Sequence, residues 1–260
     1  MRYSTLAFSL LFLLSLGSLQ CVSTRSAPAQ GRVVVQKKTV VIVRSRKLAG
    51  YTPERRKATV SYPIIVSGIT DPVVLAKVRS LLNLKNVFDM SLQEYREDTW
   101  LSELNYRINY NKNHILDITF TQEGVAAYPD SQEKHLAINL RTGALIKATD
   151  VFKRESLAKL ATLVDGKLQA EMKATIEEVN QDKTIDADEK KSVPELYEGL
   201  KIEVKNLDDF SIDDKGITFL YDAGFPHVVQ AYQPAGEYRF SYAELRPYLQ
   251  REGAPQSLTR

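Results

Sequence analysis

Two hydrophobic periods alternate along this chain. At Leu104, Tyr106, Ile108 and Tyr110 every second residue is apolar, and after Asn111-Lys112-Asn113 the period resumes at Leu116, Ile118 and Phe120. A period of two on both sides of a short polar break predicts a β-hairpin. The same period predicts a strand over 135–140 (Leu136, Ile138, Leu140), a turn at Thr142-Gly143 and a return through Leu145 and Ile146. Phe210 and Ile212, the turn Asp213 to Gly216, then Ile217, Phe219 and Tyr221 form a second hairpin, and 237–241 is a further strand. Near the start, Val33 to Val35 and Val40 to Val43 are β-branched runs that predict one or two strands. Residues 58–69 predict another, with Pro63 marking an edge or a bulge.

Helical spacing is clearest over 155–180, where Leu157, Leu160, Val164, Leu168, Met172, Ile176 and Val179 recur at near-helical spacing. Asp71 can cap a helix with Pro72 at its first position, and Val74, Leu75, Val78, Leu81 and Leu82 make that helix's apolar stripe. Short helices are expected over 91–98 and from Tyr242 to Leu249. Residues 181–206 are polar without a clear period, and "DKTIDADE" within them is expected to be solvated chain. Hairpins outnumber strand–helix–strand units, so the expected class is α+β: an antiparallel sheet of hairpins with helices packed on one face, helix 155–180 among them.

The first residues change the picture of where the protein works. Arg2 precedes the apolar run Leu6 to Leu19, which has the length of a signal-peptide core and is too short for a confident membrane span. Residues 1–29 are therefore expected to be signal peptide and linker, and the protein to be exported to the periplasm, cell surface or medium. Cys21 is the only cysteine and follows the run directly, so it is a candidate lipid anchor; cuts after Ser23 or Ala29 compete with it. A lone cysteine leaves no intrachain disulfide. Membrane association is expected only through that anchor.

Composition is otherwise ordinary, with 43% hydrophobic and 26% charged residues. Charge is not evenly spread. Residues 1–57 carry a net +10 and residues 58–260 a net −7. The basic strand segment, 30–57, is read as an edge kept soluble by Lys and Arg. Nucleic acid is not an expected partner, because no nucleic-acid motif accompanies the block. The α+β domain occupies 58–252.

No catalytic pattern is present: no Gly-x-Ser-x-Gly, no phosphate loop, no His-x-x-x-His or Cys-x-x-Cys. The acids Asp182, Asp186, Asp188 and Glu189 fail the calcium-loop pattern, lacking Gly at the sixth position and Glu at the twelfth. The histidines, His114, His135 and His227, are far apart. His114 is placed in a hairpin turn in solvent, His135 facing outward at a strand start, and His227 within reach of Tyr128. Neither a metal nor a cofactor is expected.

From residue 58 the pattern resembles an extracytoplasmic domain of unknown function shared by lysozyme-binding anti-sigma factors and the N-terminal region of some peptidoglycan deacetylases. The resemblance rests on Tyr62 to Asp71, the tyrosine-rich hairpin "LNYRINYNKNHILDITF", "NLRTGALIKATDVF" (Asn139, Thr142, Gly143, Asp150, Phe152), and "YRFSYAELRPYL". In that family a loop reads Ala-His-Pro; this chain reads Ala127-Tyr128-Pro129, which removes the side chain best suited to catalysis or metal binding. Tyrosine keeps a flat face and a hydroxyl, suited to recognition. The resemblance places the late aromatic loops near the lysozyme-contacting surface and so implies a ligand-binding patch of Tyr128, Pro129, Phe225, His227 and Tyr232. The expected function is a non-catalytic envelope binding protein, with an envelope protein, lysozyme-like ones included, or a cell-wall glycan as ligand. The alternative is a cell-wall polymer hydrolase or deacetylase-associated enzyme. A lysozyme-triggered signalling role is not expected, since no later run is apolar enough to span a bilayer.

Overall fold

The computed structural model describes residues 31–49, 53–126 and 128–250. The apolar run 6–19, expected to be a signal peptide, and Cys21 lie outside these. In chain order the elements are β1 (Val34–Val43), α1 (Arg46–Ala49), β2 (Lys57–Ser67), α2 (Pro72–Leu81), α3 (Leu84–Phe88), α4 (Glu94–Glu97), β3 (Leu101–Lys112), β4 (Ile115–Val125), β5 (Pro129–Asn139) and β6 (Ala144–Leu145). Then follow α5 (Ala148–Val151), α6 (Leu157–Gln181), α7 (Ala187–Leu196), β7 (Phe210–Ile212), β8 (Gly216–Leu220), β9 (Glu237–Ser241) and α8 (Tyr242–Leu245).

The α+β class is observed. The strands divide between a six-stranded sheet in sequential order β1 to β6 and a three-stranded sheet β7-β8-β9. Hairpin 210–221, expected in one antiparallel sheet with hairpin 104–120, belongs instead to the smaller sheet. All pairs are antiparallel except β2–β3, which is parallel and brief, Thr59 opposite Glu103 and Val60 opposite Leu104. The strands cannot form a hairpin there because α2 to α4 intervene, and a parallel pair needs such a crossover. Beyond Val60, β2 has no partner strand on its β3 side, so Pro63 loses no ladder bond to β3 where it opposes Lys37 of β1.

Local chemistry sets the boundaries. Asp71 accepts hydrogen bonds from the Val73 and Val74 N–H groups and starts α2, with Pro72 at its first position. The β3–β4 turn lies at Asn113 and His114, one step later than the sequence indicates, and both residues have positive φ, 56° and 62°. That is the two-residue turn whose twist suits a hairpin. His114 is half-buried there instead of solvated, and burial lowers its pKa. The polar stretch 181–206 is ordered: Asp186 caps α7 by accepting from the Asp188 and Glu189 N–H groups. The acids read as solvated chain are a helix start, hidden from a period count because only Val193 of α7 is buried.

Alternation along β4 separates two cores. Leu116, Ile118 and Phe120 join Val74 and Val78 of α2. Ile115, on the opposite face, joins Leu160, Val164 and Leu168 of α6 and the smaller sheet's Ile212 and Phe219. The helices expected on one face thus lie on both: α2 on one side, α6 with the smaller sheet on the other. Two apolar stripes, one per helix group, need two faces to bury them. No helix among the described residues is long and apolar enough to cross a membrane.

Candidate functional site

The stretch 123–130 is mostly strand. β4 runs on to Val125, and β5 opens at Pro129 opposite it. Gly124 is buried in β4, and a Cβ there would fall 2.3 Å from the Trp100 carbonyl oxygen. Glycine therefore lets the strand pass against Trp100, whose carbonyl accepts from the Val125 N–H at 2.9 Å. The turn beyond is tied down by Arg55, whose Nη2 donates to the Ala126 carbonyl at 2.7 Å. Tyr128 projects from this turn and is 62% exposed.

A second loop meets it. After β8 the chain forms a 3-10 helix, His227–Tyr232. Phe225 stacks on Tyr197 with centroids 5.9 Å apart, and the Tyr197 hydroxyl donates to the Tyr232 carbonyl at 2.7 Å. The Tyr232 hydroxyl donates to Glu189 of α7 at 2.5 Å. With the loop held from beneath, its outer residues face solvent: His227 is exposed and Val228 is 90% exposed. The Tyr128 and His227 rings meet edge to face, centroids 4.3 Å apart at 83°, a favoured aromatic geometry. A shallow cavity of about 360 Å³ lies beside this contact, lined by Glu123, Val125, Pro129, Ser131 and Gln230.

Of the sequence-predicted residues, Tyr128, Pro129 and His227 come together on the surface. Phe225 and Tyr232 are half-buried and engage Tyr197 and Glu189, so they hold the loop. Val228 was missed; no period marks a single exposed valine in a loop.

A polar joint between the sheets was also missed. Asp117 of β4 is fully buried. Its carboxylate accepts from Asn109 Nδ2 at 2.7 Å, Ser211 Oγ at 2.9 Å and the Ile212 N–H at 2.8 Å. Burial pushes its pKa up to about 6 against those hydrogen bonds, which favour the ion. Thr119 Oγ1, 2.9 Å from His135 Nδ1, also accepts from Asn109. His135 does not face outward: its side chain is 11% exposed, and burial lowers its pKa despite Glu133 at 3.3 Å. It shares the β4–β5 face that carries Asp117, which the smaller sheet covers. A carboxylate amid the apolar run Leu116 to Phe120 was the available signal in the sequence. Among the described residues no group of three His, Cys, Asp or Glu side chains is placed to hold a metal ion.

No family model matches this chain, and no curated protein matches it. Solved structures do. A member of the DUF3298 family from Bacteroides fragilis superposes with a TM-score of 0.58 at 16% identity, covering 88% of this chain and 98% of that one. A DUF3298 family protein from Pseudomonas aeruginosa gives 0.50 at 10% identity, covering 85% and 96%. At these identities the likeness is one of fold: the chain has the fold of these domain-of-unknown-function proteins over nearly their whole length.

Proposed function

We propose that this protein is an exported, non-catalytic binding protein of the cell envelope, and that it captures a protein or cell-wall glycan through the surface around Tyr128. One observation carries this reading: two loops from different sheets meet at Tyr128 and His227, with Tyr128 and Val228 left 62% and 90% exposed. Aromatic side chains such as Tyr128, presented on a braced scaffold, are the usual anchors of recognition, and Val228 adds apolar area beside it. The sequence resemblance to lysozyme-binding extracytoplasmic domains supports the class of partner, while the likeness to the DUF3298 structures supports the fold alone. Tyrosine at the position where that resemblance expects histidine supports binding over chemistry.

The runner-up is an envelope enzyme. His135 favours it, as an imidazole with two polar neighbours lining the cleft between the sheets. Against it, Asp117 and Thr119 are at most 1% exposed, and their hydrogen bonds are spent within the joint.

Calorimetric titration with purified C-type lysozyme, alongside co-sedimentation with purified cell-wall sacculi, tests the proposal. Binding to one of these, abolished by Tyr128→Ala with Val228→Asp and kept by His135→Ala, is the expected result. Turnover of sacculi that is lost in His135→Ala would overturn it in favour of the enzyme.

A further inference from the structure

The smaller sheet has two unlike faces. Phe210, Ile212, Ile217, Phe219, Tyr238 and Phe240 enter the core with α6. The alternate positions, Ser211, Thr218, Leu220, Glu237 and Arg239, turn instead toward Arg107, Asn109 and His135 of the larger sheet. Between the two walls lies a half-open cavity of about 400 Å³. That size falls within the range of small-molecule sites, roughly 300–1,000 Å³.

Most polar groups here are already satisfied. Asn109, Ser211 and Asp117 bond one another. His135 is engaged by Thr119 and Glu133. Arg239 grips both oxygens of Asp213 at 2.7 and 2.6 Å. Two charges remain. Arg107 uses its Nε on Asn109 Oδ1 at 2.8 Å, and no carboxylate among the described residues pairs with its terminal nitrogens. Glu237, on the opposite wall, has no ion-pair partner among the described residues. Both line the same cavity as His135, Arg107 on the larger sheet's wall and Glu237 on the smaller sheet's. Leu220 supplies apolar surface in the same cavity.

We propose that this cleft binds a small zwitterion, a free α-amino acid, with its carboxylate on the Arg107 guanidinium, its ammonium on Glu237 and its side chain against Leu220. An anion alone would leave Glu237 opposed, and a cation alone would leave Arg107 opposed. A guanidinium presents paired donors that match a carboxylate. The Thr218 hydroxyl, which has no hydrogen-bond partner among the described residues, adds a third polar contact. The site is separate from the Tyr128 surface, so either proposal can fail without the other.

The test is amide chemical-shift titration of the full chain with glycine and with L-alanine, using acetate and methylammonium as single-charge controls. The expected result is saturable shifts confined to residues 107–109, 218–220 and 237–239 for the amino acids and not for the controls. Arg107→Gln and Glu237→Gln should each weaken binding by about tenfold or more, as loss of a charge-assisted hydrogen bond does. Both side chains are exposed, so neither change should disturb folding, and Tyr128→Ala should leave the titration unchanged. No saturable shift with either amino acid, or the same shifts with acetate alone, would overturn the proposal.

Discussion

The Tyr128 and His227 rings meet edge to face, their planes at 83° and their centroids 4.3 Å apart, and this contact joins the tip of the β4–β5 hairpin to a loop of the smaller sheet. The two residues are 99 positions apart in a chain that only the fold brings together here. Because Tyr128 is mostly exposed, truncating it removes binding surface and little core. Tyr128→Ala is therefore expected to change stability by no more than about 0.5 kcal/mol, measured by denaturant unfolding, while weakening capture of the envelope ligand. A large loss of stability would make Tyr128 a structural residue.

Leu168 makes the contrasting case. It is fully buried on α6 against the smaller sheet. Leu168→Ala should cost about 2–5 kcal/mol, read as a lower unfolding midpoint with an unchanged slope. A cost under about 1 kcal/mol would mean that α6 is not packed as described.

Two glycines should respond oppositely to alanine. At Gly166, midway along α6, a Cβ meets nothing within 4 Å, so Gly166→Ala should stabilise by about 1 kcal/mol through helix propensity alone. At Gly124 a Cβ would collide with the Trp100 backbone oxygen and ring. Gly124→Ala should destabilise by about 1–3 kcal/mol, the usual cost of overpacking. Thermal unfolding of the pair decides both.

Asp117 gives a pH prediction. Its native carboxyl holds a proton up to about pH 6, whereas the unfolded chain releases it near the ordinary value of 3.8. Between those values the native state binds more protons, so this group's contribution to stability falls as pH rises and is flat above about 6. Each pKa unit corresponds to about 1.4 kcal/mol, so the fall is about 3 kcal/mol. Asp117→Asn removes this dependence. The stability of the variant relative to the parent should therefore rise between about pH 4 and pH 6, measured by urea unfolding across that range. A flat or falling difference would contradict the burial described for Asp117.

The hairpin 104–120, strand 237–241 and α6 were legible because their apolar residues repeat at the period of the element that buries them. Long-range placement was not. Nothing in the period of β7 and β8 says that they leave the larger sheet, since Phe210 and Ile217 would alternate alike in either. His135 reads as outward because a polar residue at a strand start usually is; the second sheet covers that face. α7 was hidden because it buries only Val193 and contains Pro194. Of the candidate site, Tyr128 and His227 were legible as neighbours, while the support roles of Phe225 and Tyr232 required the position of Tyr197 and Glu189.

The central claim is that the Tyr128–His227 surface meets an envelope ligand. Photocrosslinking in producing cells tests it most directly, with the crosslinking residue placed at position 128, at 228, or at the exposed position 159 on α6. The account predicts one shared adduct, an envelope protein or glycan strand, from 128 and 228 and none from 159. The same adducts from all three positions, or none from 128 and 228, would contradict it.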